Sequence, residues 1–259
     1  MELLQHRRCR VLKRVPKASR IPAADKLAET LRQVTAEPDS VDKWVDLFAF
    51  TFTCFGVPGQ RGGQRHLKSL ASKVNAAVTC FPASSAPVKQ QKPVKSRQSS
   101  DVNLAARVSS KLEDGDIRGA IRLAASDDTL APFDDVTAEA LRFKHPSRAA
   151  SDSPPPTPNN DSCLTLQQAD ILAAIKSFMP GSAGGLDGLR PQHLKDLTST
   201  SAGDAGQRLL CRLTEFINLC LTGRVPADIQ PIFCGAALCA LNKKTAASER
   251  SPSAARCVS

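Results

Sequence analysis

The sequence predicts a mainly α-helical protein interrupted by long disordered linkers, with an incomplete α+β start toward its C-terminal end. Three observations carry this. Apolar residues recur at helical spacing in several separate segments. The chain's 18 prolines cluster in Ser/Pro-rich stretches between those segments. Aromatic residues are only 4% of the chain and tyrosine is absent, which is thin material for one large core.

Residues 1–82 read as a basic arm and a helical region. The arm, MELLQHRRCRVLKRVPKASR, sets Arg7, Arg8, Arg10, Lys13, Arg14, Lys17 and Arg20 against a single acid, Glu2. Such a run suits phosphate contacts or a nuclear address, and equally suits a solvated segment that binds nothing. Pro22 is expected to open a helix through about Thr35, with Leu27, Leu31 and Val34 on one face. A second helix from Ser40 carries Val41, Trp44, Val45 and Phe48, and the two are expected to pack as a hairpin. Residues 83–102 form a basic Pro/Ser-rich linker that contains Lys89, Lys92, Lys95 and Arg97. A short helical region covers 103–146, in DIRGAIRLAA and DDVTAEALRFK, and a Pro-rich linker covers 147–162.

Residues 163–244 hold the strongest helical patterning. In TLQQADILAAIKSFMP, Thr165 and Gln168 fit a capping box, Leu172, Ile175, Phe178 and Met179 recur at helical spacing, and Pro180 with Gly181 ends the helix. GSAGGLDGLRPQHLKDL then packs four glycines into eight positions. A P-loop needs Lys-Ser or Lys-Thr after its last glycine, and none follows here. A dinucleotide-binding turn needs a strand before its glycines, whereas a helix precedes these. The bland reading is a structural turn between two helices, with Pro191 opening the second. AGQRLLCRLTEFINLCLTG is a further helix, its apolar face formed by Leu209, Leu210, Leu213, Phe216, Ile217 and Cys220, with Gly223 as its C-terminal cap. PIFCGAALCAL reads as a buried strand with nothing to pair it.

GSAGGLDGLRPQHLKDL, followed by LTEFINLCLTGRVPADIQPIFCGAALCALNKK, resembles the start of the reverse transcriptase domain in invertebrate non-LTR retrotransposons. That family carries a small-Gly-Gly-x-Asp-Gly-Leu motif before a helix, then Gly-x-Val-Pro, then a strand ending in Lys-Lys at the polymerase fingers. Gly184, Gly185, Asp187, Gly188, Leu189, Pro191, His193, Leu194, Gly223, Val225, Pro226, Lys243 and Lys244 stand at the matching positions. VLKRVPKASRIPAADKLAE, KLEDGDIRGAIRLAASDDTLAP and EALRFKHP resemble the region that precedes the polymerase in such reading frames. The resemblance implies that Asp187 and Arg190 shape the approach to the fingers and makes Lys243 and Lys244 candidates for phosphate contact in an intact member, while each of the four equally suits a solvent-facing charge. It implies Mg²⁺ chemistry only for that intact polymerase, whose metal-binding carboxylates sit downstream of the fingers on a strand and an aromatic-x-Asp-Asp hairpin.

Composition bounds the remaining possibilities. A formal charge of +10 and a pI near 9.3 point to an anionic partner, most simply nucleic acid, although basic charge is also common in proteins that bind none; any RNA or DNA is expected to bind weakly and without sequence preference. The nine cysteines, Cys9, Cys54, Cys80, Cys163, Cys211, Cys220, Cys234, Cys239 and Cys257, contain no Cys-x-x-Cys, which argues against a zinc site or a disulfide framework. Free thiols, short apolar runs and no apolar leader predict an intracellular protein with no membrane span; the oligomeric state stays open. Cys211, Cys220, Cys234 and Cys239 are read as small buried hydrophobes, and His193 as a structural histidine that hydrogen-bonds or caps within its helix.

Two acidic stretches, Ser126 to Asp128 and Phe133 to Asp135, imitate the catalytic hairpin without its spacing. Asp134 is better placed as a helix start than as a metal ligand. The expected function is therefore a truncated retroelement open reading frame without a catalytic centre, metal or cofactor. The rival is a small basic helical adaptor that binds nucleic acid and derives from a retroelement. Residues 245–259 complete the picture as an off-frame, disordered tail. With Lys244 as AAG, reading one base earlier lets Thr245, Ala246, Ala247, Ser248 and Glu249 spell Asp-Gly-Gly-Ile-Arg. Arg250 then gives alanine where the family has proline, and Ser251, Pro252, Ser253 and Ala254 spell Ile-Ala-Val-Gly, the family's continuation.

Overall fold

A computed structural model describes residues 11–57, 69–82, 100–126, 129–132, 134–144, 164–235, 239–242 and 255–258. Those residues are mainly helical, as expected. Helices run over Arg20–Ala36 (α1), Val41–Cys54 (α2), Leu70–Thr79 (α3), Ser100–Glu113 (α4), Ile117–Ala125 (α5), Asp135–Lys144 (α6), Gln168–Ser177 (α7), Pro191–Leu197 (α8), Gly203–Leu221 (α9) and Gln230–Phe233 (α10). The linkers fall almost entirely outside the described residues, but the first ends early, because Ser100 already opens α4. Helix α3 is an addition to the helices named in the sequence, and α4 extends the expected 103–146 helical region ahead of DIRGAIRLAA.

The core is built where α1 lies along α9. Leu27, Leu31 and Val34 of α1 and Leu209, Leu210, Leu213 and Phe216 of α9 are buried together. Spacings of three and four residues bring these side chains onto one stripe per helix. Helix α2 returns along α1 as a hairpin and adds Trp44, which is fully buried and donates its indole N–H to the Pro38 carbonyl at 2.8 Å. The Trp44 ring meets Phe216 at 5.5 Å and Phe233 at 5.8 Å between centroids, so one aromatic cluster ties α2, α9 and α10. A second aromatic group, Phe50 with Phe55 and Phe81, extends the core toward α3.

Several element ends differ from expectation for local reasons. Helix α1 begins at Arg20, two residues before Pro22, after a 3₁₀ turn over Lys17–Ser19. Proline is tolerated in a first helical turn because the N–H it lacks would have no intrahelical partner there. The N-terminal bond of α7 is not the one expected from Thr165 and Gln168: Asp170 accepts the Gln167 N–H at 2.8 Å. Phe178 and Met179 lie past the end of α7 and are exposed, so Ile171 and Ile175 alone are its buried residues. The stretch read as one buried strand divides, since Pro231 favours a first helical turn and gives α10 before the short strand Cys239–Asn242 (β2). That strand is also not left unpaired, as it runs antiparallel to Thr129–Leu130 (β1) and to Ala255–Val258 (β3) in the tail.

Other expectations are met in detail. Asp134 accepts the Thr137 N–H at 2.8 Å, and this bond holds its carboxyl below the usual range, as a helix cap should. Gly223 has φ +76° and bonds to Cys220 while Arg224 reaches back to Leu219, closing α9 in a left-handed cap.

Candidate functional site

The glycine-rich segment and α8 form a structured turn that clasps the N-terminal basic segment. Helix α7 stops, and Lys195 from α8 donates to the carbonyls of Lys176 at 3.1 Å and Phe178 at 2.6 Å, satisfying acceptors at the end of α7. The chain turns back through Gly181 and Gly188, which have φ +76° and +72°. Asp187 accepts the Leu189 N–H at 3.2 Å and so fixes the turn's exit. Gly188 lies against the Phe52 ring, where a Cβ would sit 2.9 Å from Cε1. The glycines therefore meet a backbone and packing demand.

Helix α8 presents His193 and Asp196 to the chain before α1. His193 is fully buried; its Nδ1 accepts the Arg190 N–H at 3.2 Å, which leaves Nε2–H to donate to the Leu12 carbonyl at 2.7 Å. Burial chiefly, with help from nearby Arg190, pushes its pKa below the usual histidine value, against an opposing pull from its hydrogen bond to Leu12. Its ring also packs on Phe55 at 5.2 Å. Asp196 binds the Val15 N–H at 2.9 Å through one oxygen, and Arg20 at 2.9 Å and Gln192 at 3.1 Å through the other. The guanidinium of Arg20 is completed by the Val15 carbonyl and the hydroxyls of Ser199 and Ser201. Asp196 and Lys195 were not singled out in the sequence, and no local signal marks them beyond the four-residue step from Gln192 to Asp196.

The candidate phosphate-binding residues differ in their surroundings. Arg20 is enclosed by partners, and Lys13 reaches the Ser110 carbonyl, Glu113 and Asp114. Arg14 and Lys17 are exposed. Arg190 is half-buried, with Asp114 at 4.0 Å. Arg7, Arg8, Arg10, Lys89, Lys92, Lys95, Arg97, Lys243 and Lys244 lie outside the described residues. Leu194 and Val225 pack against the core, and Pro226 accepts the N–H of Ile229 at 2.9 Å through its carbonyl. The cysteines are less uniform than expected: Cys54 is buried, Cys211 and Cys220 are half-buried, and Cys234 is exposed at the end of α10.

A cavity of about 240 Å³ lies beside the turn. Leu27, Leu31, Phe48, Leu213, Phe216 and Phe233 are among its walls, together with Leu186 and Asp187 of the turn. Leu186 and Phe233 are 37% and 41% exposed, which places them at the rim. Desolvation raises the Asp187 pKa above the usual aspartate value, against the opposing bond from Leu189.

Among the described residues, no group of His, Cys, Asp and Glu is arranged to hold a metal ion, and no helix is long and apolar enough to cross a membrane. No protein-family model, curated protein or solved structure matches the chain.

Proposed function

We propose that this chain is a non-catalytic lead-in segment of a retrotransposon-type RNA-directed DNA polymerase, with at most weak, sequence-indifferent binding to RNA or DNA. One observation supports the reading above others. The segments that carry the resemblance, residues 11–29 near the start and 181–197 in the glycine turn, pack on each other through His193 to Leu12 and Asp196 to Val15 and Arg20. Residues of a single working unit would be expected to meet in this way. Within the unit, Gly188, Pro191 and His193 act on backbone geometry and packing, which suits a support for a polymerase fingers region.

The metal-binding carboxylates of such polymerases belong to a later segment than the one matched here. Nucleotide transfer is thus not expected of these residues, and Mg²⁺ belongs to the intact polymerase. Purified protein given an RNA template, a primer and Mg²⁺ or Mn²⁺ should extend nothing, and incorporation above a mock preparation would overturn the proposal. The coding DNA supplies the second test. Codons after Lys244 that spell the family motif in the shifted frame, with polymerase motifs beyond, support the reading; an unrelated sequence there favours the nucleic-acid-binding adaptor.

A further inference from the structure

The cavity beside the glycine turn has a distinct chemistry. Its walls are aliphatic and aromatic, and among the described residues Asp187 is the one ionisable side chain that lines it. Among those residues no cation lies within ion-pair distance of Asp187, whose carboxyl accepts from the Leu189 backbone N–H. A carboxylate partly withdrawn from water without a counter-charge is stabilised by any cation that can reach it. A dry apolar cavity of about 150 Å³ holds benzene, so 240 Å³ has room for one ring and a short alkyl chain. The rings of Phe48, Phe216 and Phe233 offer edges and faces to such a ring.

We propose that this cavity binds a small amphipathic cation, an aromatic ring seated among Phe48, Phe216 and Phe233 with a primary ammonium on Asp187. The site shares Asp187 with the glycine motif but uses none of the basic residues named as phosphate contacts, so its ligand and a nucleic acid would draw on different side chains. Charge complementarity sets its preference: a neutral isostere fills the same volume without pairing the carboxylate, and an anionic one is repelled.

The probes are phenethylammonium, phenethyl alcohol and phenylacetate, titrated into the full chain by ligand-observed NMR. Phenethylammonium should bind about tenfold more tightly than the alcohol, and phenylacetate weakest of all. In Asp187→Asn, the turn keeps its acceptor for Leu189, so the fold is retained; the cation and the alcohol should then bind within about twofold of each other. Leu47→Phe, which adds a ring at the wall, should weaken both ligands. Equal affinities in the unaltered protein, or a preference for the cation that survives in Asp187→Asn, would overturn the proposal.

Discussion

Replacing Gly188 by alanine tests whether the glycine turn is a structural device. The backbone there has φ +72°, a conformation that costs a non-glycine residue about 1–2 kcal/mol. The new Cβ would also lie 2.9 Å and 3.0 Å from two atoms of the Phe52 ring, so the ring or the turn must shift, an overpacking cost of about 1–3 kcal/mol. Gly188→Ala should therefore lose about 2–5 kcal/mol of stability. Gly223 provides the internal comparison: its φ is +76° but a Cβ there would meet nothing within 4 Å, so Gly223→Ala should show the conformational part alone. Urea titration followed by fluorescence of Trp44, the single tryptophan, reads both variants from inside the core. Phe52→Leu, combined with Gly188→Ala, should return part of the difference as a positive coupling. If Gly188→Ala costs no more than Gly223→Ala, the close approach of Phe52 is not what demands glycine, and the structural account of the motif fails.

Asp196→Ala should cost about 3–5 kcal/mol in the same titration, because it strands the Arg20 guanidinium and the Val15 N–H; a loss under about 1 kcal/mol would show the clasp to be solvated. His193 binds its proton less readily folded than unfolded, so its contribution is complete above the ordinary histidine value and should fade as pH falls below it; His193→Ala should flatten this dependence, and an unchanged slope would refute it. Burial pushes the Cys54 thiol up to about 12 and Cys220 to about 11, so maleimide at neutral pH followed by peptide mapping should find exposed Cys80 and Cys234 modified well before Cys54. RNA affinity, measured by anisotropy, should fall steeply with salt, and Arg14→Ala with Lys17→Ala should weaken it equally across sequences; binding that withstands salt would require a recognition surface.

Helix positions were legible in the sequence wherever an apolar stripe was long. Leu27, Leu31 and Val34, or Leu209 through Phe216, declare a buried face by spacing alone, and the pairing of α1 with α9 only has to bring two such faces together. Helix α3 was missed because Val74 and Val78 are its only buried residues, too few to outweigh a neutral composition. The divided strand before β2 shows the opposite error. Its apolar run matched a buried strand, yet Pro231 and the end of the turn at Cys234 to Gly235 fit a short helix, and a short apolar run cannot separate the two by period. The clasp was illegible for a different reason: Asp196 meets Val15 and Arg20 across 181 and 176 positions, and nothing local announces a contact of that range.

The same clasp changes what the basic arm means. As a sequence it is a run of positive charge that suits phosphate contacts and a solvated segment equally. In the folded chain its members divide by neighbour: Lys13 and Arg20 are turned inward onto Glu113, Asp114 and Asp196, and Arg14 and Lys17 are turned out. An arginine with a planar fork suits Arg20, where a carboxylate, a carbonyl and two hydroxyls converge, and a lysine could not reach them all. Charge placed for the fold cannot also be offered to a ligand without breaking the clasp. Arg14 stands between residues whose backbones are held by His193, Asp196 and Arg20, so its position depends on the glycine turn remaining intact. If the weak nucleic-acid binding proposed above runs through Arg14, variants that open the turn should lower it in the anisotropy titration, and an unchanged affinity would refute the link.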